Sequence, residues 1–143
     1  MWSIAQAYAD LAWAELAQRE PRAHQRVIYG HSMGSGVAVD LASRLRVGTD
    51  YGAVILESAL TSFDGVAREA GFIAWLLSAF NKERFDSITK IAKVQAPVLM
   101  IHGLKDKALG HAALNSNWQY VEKDLTLVTV PQADHWVQQD AAE

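Results

Sequence analysis

Ser32 lies within Gly30-His31-Ser32-Met33-Gly34, a G-x-S-x-G spacing. Before it, Val27-Ile28-Tyr29 is a short β-prone apolar run, and after it Gly36-Val37-Ala38-Val39 begins a helical pattern. The serine is therefore expected at the apex of a sharp turn from strand to helix. Such a strained turn needs residues without side chains two positions to either side, so both Gly30 and Gly34 are expected to approach the flanking backbones closely. The turn lifts the hydroxyl clear of the sheet and aims the first helical N–H groups, beginning with Met33, at whatever sits over it. A serine hydroxyl is a poor nucleophile until a base takes its proton, so chemistry here requires a histidine within hydrogen-bond reach and a carboxylate to orient that histidine. The competing reading is a glycine-rich turn with a capping serine.

The segments around this turn must hold it. Ser3 to about Arg19 reads as a helix, with Ile4, Tyr8 and Leu11 on one stripe, Trp2, Ala5, Ala9, Trp13 and Leu16 on a second, and Pro21 beyond its end. A helix apolar over so much of its circumference is expected to be covered on more than one side. After the turn, Gly34, Ala38, Leu41 and Leu45 mark one helical face, and Arg44 and Arg46 suit its negative end. Residues 51–56 (YGAVIL), 96–102 (APVLMIH) and 125–130 (LTLVTV) are continuous apolar runs, the pattern of strands buried on both faces of a parallel sheet. His111, Leu114, Trp118 and Val121 give a helical period between the last two. Strands alternating with helices predict an α/β fold of about four mostly parallel strands with flanking helices, in one domain over residues 1–143. The connection from Glu57 to Gln95 exceeds what one crossover helix needs, so a cap or lid is expected at about residues 62–92. A crossover helix packed on the sheet is the alternative.

Composition narrows the classes. The 143 residues suit a single domain, with half of them apolar, a fifth charged and a net charge of −3. The scattered basic residues argue against a nucleic-acid footprint or a polybasic membrane patch. The absence of cysteine excludes disulfides, thiolate metal sites and cysteine nucleophiles, and is compatible with a cytoplasmic location. Asp10 and Glu15 interrupt the apolar N-terminal stretch, which reads as neither a signal peptide nor a membrane span. The histidines show no clustered ligand spacing, so no metal site is expected.

With its flanking strand and helix, the Ser32 turn resembles the nucleophile elbow of the α/β-hydrolases. In that family the order along the chain is serine, acid, histidine, the last two on loops after strands. Asp106, in Gly103-Leu104-Lys105-Asp106 after APVLMIH, matches the acid, and His135, in Pro131-Gln132-Ala133-Asp134-His135-Trp136 after LTLVTV, matches the histidine. Glu57, ending YGAVIL, competes for the acid's role, since some members place it there. Asp134 is a poor candidate because it adjoins His135. PVLMIHGLKD and ILES resemble the serine-aminopeptidase-like branch. The ending DHWVQQDAAE is similar to the epoxide hydrolase and haloalkane dehalogenase side, whose elbow carries aspartate rather than serine.

The resemblance implies a serine hydrolase without cofactor, cleaving small-molecule carboxylic esters of small to medium apolar acyl groups. Ser32, Asp106 and His135 would be catalytic, and the Met33 N–H would stabilise the oxyanion. His31, Trp75, Leu76, Phe80 and Trp136 would bind substrate, with Phe72 and Leu77 in the same apolar lid. An aminopeptidase or amidase with the same triad is the rival, as is a silent remnant that oligomerises or binds an apolar ligand. His102 reads as a buried structural residue, His111 opens a helix, and His24 precedes the elbow strand. Only the second half of the family's fold is matched. The loop that normally gives a second oxyanion donor has no counterpart, a loss of roughly 10² to 10³ in rate. The elbow strand is then an exposed apolar edge, from which a homo-oligomer, or a segment cut from a longer protein, is expected.

Overall fold

The computed structural model describes residues 2–59, 87–109, 114 and 119–141. Helix α1 spans Trp2–Arg19, and a single 3₁₀ turn, Ala23–Gln25, leads into strand β1, Val27–His31. Then come α2 (Gly34–Arg44), β2 (Ala53–Glu57), α3 (Ser87–Ile91), β3 (Val98–Gly103), β4 (Leu125–Val130) and α4 (Val137–Asp140). The four strands form one sheet in the order β1-β2-β3-β4, and every pairing is parallel. This is the α/β arrangement expected from the alternation of apolar runs and helical periods. The register sets Gly30 beside Leu56, His31 beside Glu57, and Gly103 beside Val130, so the chemistry-bearing loops leave from one edge of the sheet.

The core lies between one sheet face and the helices. Ile28, Val54, Leu56, Val98 and Met100 alternate onto the face that meets Ala38, Val39, Leu41 and Ala42 of α2. Gly30 lets α2 come close, since a Cβ there would stand 2.7 Å from the Ala38 Cβ and 2.7 Å from the Gly34 carbonyl oxygen. A Cβ on Gly34 itself would meet nothing within 4 Å among the described residues, so the close approach of the two glycine backbones makes its steric demand at Gly30. Among the described residues, a side chain is sterically barred on the strand side of the turn, at Gly30, and not at Gly34.

Two burial expectations are also corrected. In α1 the stripe carrying Ala9 and Trp13 packs against the core, with Trp13 edge-on to Tyr51 at 6.4 Å between ring centroids. The stripe of Ile4, Tyr8 and Leu11 is 59, 70 and 68 % exposed, because α1 rests on α2 along one side. Strand β4 is rich in apolar residues yet leaves Leu127 and Val128 exposed, because it is an outer strand paired only with β3 among the described residues. The opposite outer strand is β1, where Val27 and Tyr29 are exposed as the elbow-strand expectation requires. The expected lid lies outside the described residues except for α3, and with it Phe72, Trp75, Leu76, Leu77 and Phe80. His111 and Trp118 are outside them as well. No helix among the described residues is long and apolar enough to cross a membrane.

A charge network ties the helices together. Buried Asp40 of α2 accepts from Lys90 Nζ of α3 at 2.5 Å and from Arg44 Nε at 3.1 Å, while Arg44 Nη2 reaches Asp10 of α1 at 2.9 Å. Burial alone would raise the Asp40 carboxyl, but the hydrogen bond and charge of Lys90, with Arg44, hold it below the usual carboxylate value. A carboxylate lowered in the folded state contributes stability above its unfolded pKa and loses it as pH falls through the folded value. Asp40→Asn is therefore expected to cost about 2 kcal/mol at pH 7. In urea titrations its midpoint should converge on the parent's as pH is taken below about 4; a gap independent of pH would contradict the linkage.

Candidate active site

Ser32 occupies a left-handed backbone conformation, φ 52°, between the end of β1 and the start of α2. A non-glycine residue is held there only when its surroundings over-determine it. The Ser32 N–H donates to the Glu57 carbonyl at 2.9 Å, continuing the β1–β2 ladder by one step. The Ser32 carbonyl in turn accepts from Ser35 Oγ at 2.6 Å and from the Ser35 N–H at 3.0 Å, so the turn is tied on both sides. Among the described residues nothing accepts from the Met33 N–H, which stands at the start of α2.

Asp106 and His135 meet although 29 residues separate them: His135 Nδ1 is 2.8 Å from Asp106 Oδ2. The carboxylate is oriented by its own loop, because Asp106 Oδ1 accepts from the Ala108 and Leu109 N–H groups at 2.8 Å each. The Asp106 side chain is fully buried, whereas that of His135 keeps 18 % exposure. An ionised carboxylate only accepts, so in the neutral imidazole Nδ1 carries the hydrogen and Nε2 keeps its lone pair. That is the tautomer a general base needs.

Glu57 is placed elsewhere. Its Oε2 accepts a short hydrogen bond from the Tyr29 hydroxyl, and its Oε1 takes the Gln138 N–H at 3.3 Å. Burial, then the hydrogen bond and charge of Glu57, push the Tyr29 phenol up to about 12. Asp134 receives the Lys107 and His135 N–H groups on Oδ1, and these two backbone hydrogen bonds, Lys107's first, hold it below the usual carboxylate value. Asp134 thus braces the loop, and Asp106 is the carboxylate that faces the imidazole.

His31 turns toward His135: its Nε2 lies 3.0 Å from the His135 carbonyl oxygen, and the two rings are 4.8 Å apart. Trp136 stacks on His31 at 4.1 Å with 28° between planes and stays half exposed beside the pair. His102 is buried, with Nε2 3.0 Å from the Leu109 carbonyl, which ties the Asp106 loop to β3. Trp75, Leu76 and Phe80 lie outside the described residues. No group of three or more His, Cys, Asp or Glu among the described residues is arranged to hold a metal ion.

Two contributors were not singled out in the sequence. Ser58, buried and also left-handed at φ 44°, donates from Oγ to the His135 carbonyl at 3.0 Å. Gly103 clears a path for the loop that carries His135: a Cβ there would lie 2.7 Å from the Ala133 carbonyl carbon and closer still to the Ala133 and Asp134 oxygens. Gly103 follows an apolar run directly, a spacing that signals close backbone approach. Ser58 carries no such signal.

A parallel sheet with a serine on a strained strand-to-helix turn and a paired aspartate and histidine on later loops of the same edge is a hydrolase architecture. No family model matches the chain. It is 39 % identical over 105 residues to alpha/beta hydrolase domain-containing protein 17B of Homo sapiens, a match covering 71 % of this chain and 33 % of that protein. It is 33 % identical over 132 residues to alpha/beta hydrolase domain-containing protein aho-3 of Caenorhabditis elegans, covering 90 % of this chain and 37 % of that protein. The chain thus spans about a third of the length of these curated relatives. The fold is shared with a monoacylglycerol lipase of Paleococcus ferrophilus, with TM-score 0.70 at 14 % identity over 97 % of this chain and 68 % of that one. An acylaminoacyl peptidase of Pyrococcus horikoshii gives TM-score 0.67 at 16 % identity, over 88 % of this chain and 22 % of that one. Over the matched part of its length the chain belongs to the α/β-hydrolase superfamily.

Proposed function

We propose that this chain carries the nucleophile, acid and base of a serine hydrolase that cleaves carboxylic esters of small to medium apolar acyl groups. The observation that carries the reading is the His135 Nδ1 to Asp106 Oδ2 hydrogen bond of 2.8 Å, made on the sheet edge where Ser32 stands on its strained turn. Ser32 Oγ attacks the acyl carbonyl as its proton passes to His135 Nε2, and the Met33 N–H faces the oxygen that becomes negative. The carbonyl re-forms, the ester C–O bond breaks, and His135 returns the proton to the departing alkoxide. Water then attacks the acyl-serine along the same path, giving the acid and free Ser32. The exposed indole of Trp136, stacked on the His31 ring and edge-on to His135, offers an apolar wall for the acyl group. An aminopeptidase or amidase would use the same three residues.

A fluorophosphonate probe tests the reading. A covalent adduct is expected on Ser32, located by peptide mass spectrometry and absent from Ser32→Ala. Folded protein with no adduct at Ser32 would overturn it. Where the adduct forms, a panel of nitrophenyl esters against aminoacyl amides divides esterase from peptidase.

A further inference from the structure

The nucleophile and the base arise on opposite sides of the sheet. Ser32 follows β1 and His135 follows β4, the two outer strands in the order β1-β2-β3-β4, which at ordinary strand spacing stand roughly 14 Å apart. The loop of residues 131–136 must therefore double back across the ends of the two inner strands. It is held at each strand it crosses. Over β3, Gly103 gives it room and the Lys105 N–H donates to the Ala133 carbonyl at 3.0 Å. Just past β2, Ser58 Oγ donates to the His135 carbonyl at 3.0 Å, and at the end of β1, His31 Nε2 lies 3.0 Å from that same oxygen. One carbonyl thus collects two side-chain donors from the two strands farthest from β4. The second donor is the residue that immediately precedes the nucleophile.

We infer that Ser58 and His31 are positioning residues, a two-donor clamp on the His135 carbonyl that sets the base over Ser32. The Asp106 hydrogen bond fixes the tautomer and the direction of the imidazole, but it comes from the β3 loop and does not refer to β1. His31 does, because it shares the elbow backbone with Ser32. Ser58 pays the strain of φ 44° while buried, and its hydroxyl is turned onto the carbonyl. With its own ring stacked on Trp136 at 4.1 Å, His31 is also fixed in direction. The inference rests on the serine-hydrolase reading, since a positioned base matters only where Ser32 reacts.

The test uses variants that spare the fold. Ser58→Gly removes the hydroxyl and accepts the left-handed backbone. His31→Phe keeps a ring for the Trp136 stack and loses the donor, and His31→Gln restores a donor. Phosphonylation of Ser32 is followed at saturating and sub-saturating fluorophosphonate, and the His135 Nδ1–H proton is followed by NMR. Ser58→Gly and His31→Phe should each lower the limiting rate about 10- to 100-fold with the half-saturating probe concentration unchanged. His31→Gln should recover much of that loss, which a purely structural role would not predict. The Nδ1–H resonance should shift or broaden in Ser58→Gly. Parent-like limiting rates in the folded Ser58→Gly/His31→Phe double variant would overturn the clamp. If the parent itself fails to react at Ser32, the hydrolase reading falls and the resonance decides the clamp alone. An unchanged Nδ1–H signal in the double variant then overturns it, and a displaced one supports it.

Discussion

Asp106→Asn is expected to leave the fold intact and to reduce turnover of any ester substrate by about 10⁴-fold, a loss of about 5.5 kcal/mol of transition-state stabilisation. The geometry dictates why so small a change acts so strongly. Asparagine keeps the Oδ1 oxygen that accepts from the Ala108 and Leu109 N–H groups, so the loop closes as before. The atom that faces His135 Nδ1 becomes an amide nitrogen, which donates where the carboxylate accepted. Nδ1 must then present its lone pair, the hydrogen moves to Nε2, and Nε2 no longer accepts the Ser32 proton. Steady-state kcat and the phosphonylation rate should fall together while far-ultraviolet circular dichroism and the urea midpoint change little. The same change at the rival carboxylate, Glu57→Gln, should leave the imidazole tautomer untouched, because Glu57 binds Tyr29 and the Gln138 N–H and not His135. A drop below tenfold in Asp106→Asn, or a larger one in Glu57→Gln, would refute the assignment.

How far the sequence discloses this arrangement depends on the range of the interaction concerned. The Ser32 turn is legible because its requirements are local: a β-prone run, a small residue before the serine and a helical pattern after it all lie within a dozen positions. The parallel sheet is legible because strand and helix periods alternate. Asp106 and His135 are legible as candidates through the resemblance to the α/β-hydrolase order of serine, acid and histidine, but only the folded chain separates Asp106 from Glu57, since both end up at one sheet edge. Exposure is poorly legible. LTLVTV reads as buried, but an outer strand lacks a neighbour on one side, and its order in the sheet is a long-range property. The all-round apolar α1 fails for a similar reason, since sequence periodicity counts faces without saying how many have a partner. Ser58 is invisible for a further reason: the partner of its hydrogen bond, the His135 carbonyl, lies 77 positions away. The serine motif names two glycines alike, and only the packing shows that the steric demand among the described residues falls on Gly30.

The glycines therefore divide in a testable way. In Gly103→Ala the added methyl would lie 2.7 Å from the Ala133 carbonyl carbon and nearer still to two carbonyl oxygens, distances at which something must move. All of these are backbone atoms, which no side-chain rotation moves away. Strand β3 is held on both sides, by β2 and β4, so the yielding part is the loop of residues 131–136. Lifting that loop breaks the Lys105 N–H bond to the Ala133 carbonyl and draws His135 from Asp106, Ser58 and His31 together. A stability loss of about 3 kcal/mol is expected, with a fall in Ser32 reactivity of about 10² or more from displacement of the base. In Gly34→Ala the methyl meets none of the described residues within 4 Å, at the start of α2, where alanine is the better helix former. That variant should gain up to about 1 kcal/mol and keep its phosphonylation rate. Thermal unfolding and probe kinetics on the pair decide the matter. A Gly103→Ala protein as stable and reactive as the parent would show that the loop does not depend on the clearance over β3 for its grip on His135, and a Gly34→Ala protein as damaged as Gly103→Ala would overturn the division between the two glycines.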